Sequence, residues 1–206
     1  MTRPRVAGTA AALLLLGCAG GNAPPSPARS VPPPAPAAPT LDAMLRGDLA
    51  ADAAFPWSAG RRLAWSDFQG PPPAEGSEGA RTAYTLYYAW RCHRAAFEFR
   101  AIAAFRPRQS WVKRVVLNDA VQSRSVLGHE QTHFDLAEAH ARGMQRHFAG
   151  LAGPCRKTDK ELTALARRLV EEEKAEQRRY DAETNHGLLA DPQAAWTAAV
   201  ARRLRS

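Results

Sequence analysis

Cysteine, methionine and histidine are all scarce in this chain of 206 residues, with three, three and six copies. Three cysteines exclude a disulfide-dense scaffold, in which many bridges stand in for a core. Long apolar runs are also missing. The longest, Val6 to Leu16, falls short of the roughly 20 residues that cross a bilayer. No internal repeat is visible, so a solenoid or array is excluded. Acidic residues number 20 against 28 basic ones, a formal charge of +8. In an intracellular protein that balance would suggest nucleic acid. The N-terminus argues against that setting, and no nucleic-acid partner is expected.

What is present begins with an address. Arg3 and Arg5 precede the apolar run, as in a secretory signal peptide, here residues 1–17. Leu15-Leu16-Gly17-Cys18 resembles the lipobox of bacterial lipoproteins. That resemblance implies a lipid on Cys18 and a membrane anchor, with Ala19 pointing to the outer membrane and a protein facing the periplasm. Cys92 and Cys155 are then an even pair in an oxidising compartment, and a disulfide is the natural reading, against two buried thiols. Closing that loop would stabilise by about 4 kcal/mol. Residues 18–56 read as a tether, since eight of the 16 prolines lie between Pro24 and Pro39. Such a segment buries no core and reaches up to about 70 Å. A short helix is expected at 41–54.

Residues 57–206 suit one compact domain. Its first half reads as β: Thr82–Trp90 is rich in aromatic and β-favouring residues. Phe97, Phe99, Ala101, Ala103 and Phe105 alternate through 96–105, and 111–117 reads as a further strand. The second half reads as three helices. The first is expected from Ser125 as N-cap to about His147, with Ala137, Ala141, Met144 and Phe148 on one face. Thr158 and Glu161 form a capping box for the second, with Leu162, Leu165, Leu169 and Val170 inward and a stop at Gly187. Asp191-Pro192 opens the third, which buries Trp196, Val200 and Leu204. A small antiparallel sheet packed against three helices makes the expected fold α+β.

The chemistry centres on His129-Glu130-Gln131-Thr132-His133. Residues i and i+4 project from one helix face, so His129 and His133 can share a zinc ion. Glu130 then faces the open coordination position as a general base. Three fixed residues of this kind arise by chance in about one chain in a hundred, so support is needed. A third ligand is required. Glu138 lies five residues past His133, on another face, and is expected to pair with Arg142. His140 returns to the same face about 10.5 Å along the axis, too far to share the ion. The segment Tyr180–Gly187 remains, with His186 as the favoured ligand and Glu183 as its rival. Tyr180 could donate to a developing oxyanion, or simply edge the core.

His129-Glu130-Gln131-x-His133-Phe134-Asp135-x-x-Glu138, with Tyr180-Asp181-x-x-Thr184-x-His186-Gly187, is similar to a bacterial secreted zinc-dependent protease family catalogued as domain of unknown function 922. Trp65-x-Asp67-Phe68-x-Gly70, Ser110-Trp111-Val112 and the Gln193–Trp196 ending add to the likeness. The resemblance implies a zincin-like metallopeptidase that cleaves a peptide or protein in the cell envelope. Asp135, Asp181 and Thr184 are then candidates for orienting the ligands. The rival reading is a non-catalytic metal-binding or scaffold lipoprotein, and amide hydrolysis on peptidoglycan is a weaker third. Nothing in the sequence fixes the oligomeric state.

Overall fold

The structure is a computed structural model, and it describes residues 39–93 and 96–205. Residues 38–206 make up one compact unit. The expected signal peptide, the lipidated Cys18 and the proline-rich stretch lie outside the described residues, apart from Pro39 and Thr40. No helix among the described residues is long and apolar enough to cross a membrane.

Thr40 caps the first helix, α1 (Leu41–Ala51), whose Leu41, Leu45 and Leu49 are buried one turn apart. Five strands follow: β1 (Phe55–Pro56), β2 (Ala80–Arg81), β3 (Tyr84–His93), β4 (Ala96–Phe105) and β5 (Trp111–Val112). All pairings are antiparallel. One sheet has the order β1-β4-β3, with Tyr84 opposite Phe105 and Trp90 opposite Phe99; the other pairs β2 with β5. The alternation seen in 96–105 is therefore a strand with the expected bounds. The segment 111–117 is not. Only Trp111–Val112 pairs, and Arg114–Leu117 turns into a short helix, α2, that drops Val116 into the core. Its periodicity was too short to separate strand from helix.

Three longer helices complete the α+β fold: α3 (Ala120–Ala149), α4 (Asp159–Thr184) and α5 (Ala190–Arg205). Asp119, not Ser125, caps α3, its carboxylate accepting from the backbone of Val121 and Gln122. An anionic side chain suits the positive end of the helix dipole. Thr158 and Glu161 form the expected capping box of α4. The apolar stripe of α3 lies on β4, where small side chains at Ala101, Ala103, Ala137 and Ala141 let helix and sheet approach. Phe99 stacks on Phe148 at 4.0 Å. The Cys92–Cys155 disulfide, spanning 63 residues, ties the end of β3 to the turn before α4. These contacts fix α3 against the sheet, so the remaining faces of its N-terminal half meet α4 and α5.

Candidate metal centre

That half of α3 buries polar side chains in a row: His129, Glu130, Gln131 and Thr132 are each no more than 4% exposed. Buried polar groups need partners, and α4 and α5 provide them for His129 and Thr132, while Gln131 bonds to Leu63 N–H and Asp135. Asp181, on the last turn of α4, brings its Oδ1 to 3.2 Å from His129 Nε2 and 2.9 Å from His133 Nε2. The two Nε2 atoms are 3.0 Å apart. Among the described residues, His129, His133 and Asp181 are the group that can hold a metal ion.

The rings are set by two amides. His129 Nδ1–H donates to Gln193 Oε1 at 3.0 Å, and His133 Nδ1–H donates to Gln177 Oε1 at 2.7 Å. A neutral imidazole protonated on Nδ1 presents its Nε2 lone pair, the tautomer a metal ligand needs. Gln177 is anchored in turn, its amide N–H groups donating to the His133 carbonyl and to buried Glu173. Tyr84 donates to the same carboxylate at 2.5 Å. Gly187 closes the other side of the site. Its φ is +81°, and a Cβ there would lie 2.9 Å from His129 Cβ and Cγ, so no other residue fits.

Two lone pairs and a carboxylate oxygen converge with nothing positive between them. Ligands about 2.0–2.1 Å from a tetrahedral ion sit about 3.3 Å apart, close to the separations seen here. The donor set thus fits a divalent ion. Burial works against a charged His133, but the hydrogen bond to Asp181 and the Glu130 charge win and raise its pKa. Burial would likewise raise Asp181, yet the two imidazoles beside its Oδ1 hold it well below the usual carboxylate range.

Glu130 lines the same cavity as the three ligands, and its Oε2 is buried with no hydrogen-bond partner. A carboxylate left so is costly unless something absent from the bare protein binds there. The cavity, about 750 Å³, is also lined by the backbone run Gly76–Thr82, by α2 and by His186 and Leu188.

Several expected residues sit elsewhere. The third corner belongs to Asp181, expected only to orient ligands, while His186 stands outside the group. His186 is 65% exposed, with Nδ1 3.6 Å from Asp181 Oδ1. The reason is local: α4 ends at Thr184, and Asn185 and His186 are both left-handed, which carries His186 off the helix register. Glu183 points away, accepting from Trp196 Nε1 at 2.8 Å. Tyr180 is fully buried, stacked on His129, with its hydroxyl 2.8 Å from Gln193 Oε1 and 3.2 Å from the His129 carbonyl. It buttresses the ligand helix and does not line the cavity. Asp135 accepts from Trp57, Gln131 and Arg62 and makes no bond to a ligand. Thr184 donates to the Tyr180 carbonyl and accepts from Gly187 N–H, ordering the end of α4. Glu138 pairs with Arg142, and His140 with Glu176. Gln177 and Glu173 were missed, although their signal was there: 173, 177, 181 and 184 form a polar stripe on a helix otherwise packed by leucines.

A family model described as "Bacterial protein of unknown function (DUF922)" matches residues 69–187, from the loop before β2 through Asp181 to Gly187. No curated protein and no solved structure matches.

Proposed function

We propose that this chain, which belongs to the bacterial family of unknown function DUF922, is a metal-dependent hydrolase of the cell envelope that cleaves peptide bonds. The observation that carries the reading is the unpartnered Glu130 Oε2 in one cavity with the His129, His133 and Asp181 donors. Zinc suits two imidazoles and a carboxylate. Bound there, it would supply Lewis acidity, polarising a peptide carbonyl and acidifying a water. Glu130 takes the proton of the attacking water and hands it to the departing amine. Gln193 and Gln177 hold the two rings in the ligating tautomer throughout. Gly76–Thr82 offers the backbone along which an extended peptide lies. Within it, β2 pairs with β5 along one edge, and no strand among the described residues pairs with the other. The signal-peptide-like N-terminus and the lipobox-like Leu15–Cys18 support a lipid-anchored position facing the periplasm for this activity.

The test is Glu130→Gln in the full chain loaded with zinc. Metal content should stay at the parent level while hydrolysis of a casein or peptide pool falls by at least about 100-fold. Hydrolysis at the parent rate in the variant contradicts the role given to Glu130. A parent protein that holds zinc but cleaves nothing supports instead a metal-binding lipoprotein without turnover.

A further inference from the structure

Large apolar side chains left in water are few among the described residues, and they are not scattered. Of the six, Val115, Leu117, Val121, Leu188 and Leu189 come from two segments that flank the cavity, α2 with the start of α3 and the turn after Gly187. Val115 and Leu188 line the cavity itself, 63% and 69% exposed, and Val116 and Val126 continue that lining. The charged side chains of the lining, apart from the candidate centre, are already engaged. Arg81 pairs with Glu78 at 2.9 Å, and Lys113 Nζ donates to the Gly76 carbonyl at 2.6 Å. Beyond the metal donors, Glu130 and His186, the wall offers a ligand the apolar side chains of Val115, Val116, Val126 and Leu188 beside uncharged polar groups such as Gln122 and Asn185. A charged substrate residue would compete with an existing pair, whereas an apolar one would be covered by valine and leucine.

Resting on the hydrolase reading above, we propose that this wall selects the substrate: an extended peptide with a large uncharged apolar side chain beside the scissile bond, seated between Val115 and Leu188. Large apolar side chains left exposed at the wall of a cleft mark a binding site. Removing such a contact from a hydrophobic pocket changes selectivity by about 10- to 200-fold.

The experiment uses the zinc-loaded full chain and peptides that differ at one position between Leu, Phe, Gly, Asp and Lys. The parent should cleave the Leu and Phe peptides at least about 10-fold faster, by kcat/KM, than the Asp and Lys peptides. Val115→Ser with Leu188→Ser should level that preference while bound zinc stays unchanged. Both side chains are mostly exposed, so the fold should tolerate the change. A parent preference for Asp or Lys, or a double variant with the parent's ratio, overturns the proposal. Should no peptide be cleaved, the hydrolase reading has failed, and fluorescence anisotropy of the same labelled peptides then decides. Tighter binding of Leu and Phe peptides that is lost in the double variant supports the apolar site; equal binding across the set overturns it.

Discussion

Helices α3 and α4 meet through two histidine–carboxylate contacts about two turns apart, and the pair is instructive because their first bonds are alike. His133 meets Asp181 at 2.9 Å, and His140 meets Glu176 at 2.5 Å. Everything around them differs. Glu176 also accepts from Arg203 at 3.0 Å and from Arg179 at 3.1 Å, so its charge is met by fixed cations. Among the described residues, no arginine pairs with Asp181. A second imidazole does, and both rings are held from behind by carboxamide oxygens, which orient without neutralising. Guanidinium on the carboxylate makes a structural knot. Amide support without a guanidinium leaves a donor set that can take a metal ion.

The contrast breaks most readily at Gln177. Gln177→Leu strips His133 Nδ1–H of its acceptor and leaves Glu173 short of a donor. Zinc affinity should fall about 10- to 100-fold, and stability by about 1–3 kcal/mol for the orphaned buried groups. Competition with a chromophoric chelator and urea unfolding read the two effects, and unchanged affinity would show that the amide does not orient the ligand. Gly187→Ala should come next. It puts a Cβ against the His129 ring and forces a non-glycine residue into a left-handed φ, costing about 1–2 kcal/mol from the backbone alone. Its melting temperature should drop, with weaker metal binding beside it.

The smallest effect belongs to the knot. The His140 hydrogen bond, opposed by partial burial and helped by Arg203, lowers Glu176 from 4.5 to about 2. A depressed folded-state pKa stabilises fully above the unfolded value and loses that stabilisation as pH falls through the folded one. The stability gap between parent and Glu176→Gln should therefore close as pH falls from about 4.5 to about 2. A gap that does not change over this window would mean that the charge of Glu176 contributes nothing.

Much of this was legible in the chain because the signals are local. The α3 stripe, the Thr158–Glu161 box, the alternation through β4 and the fates of Glu138 and His140 all follow from spacing on one element. Cys92 and Cys155 were paired by count alone. What failed was long-range or conformational. His186 and Glu183 were weighed as third ligand, whereas the structure brings Asp181 to the histidines; two left-handed residues that end α4, which spacing does not reveal, carry His186 off the helix register. Ser125 looked like a cap because Asp119 adds more than a turn upstream with no apolar periodicity. Tyr180, Asp135 and Thr184 carry the right chemistry for a site but use it on a backbone carbonyl, a tryptophan and a helix end.

The most direct measurement is the zinc stoichiometry and affinity of the full chain beside Asp181→Ala, His186→Ala and Glu176→Ala. The parent, His186→Ala and Glu176→Ala should each bind one zinc, and Asp181→Ala should lose at least about 100-fold in affinity. A parent that binds no zinc, or an Asp181→Ala protein that binds it as tightly while His186→Ala does not, would contradict the assignment of His129, His133 and Asp181 as the metal centre.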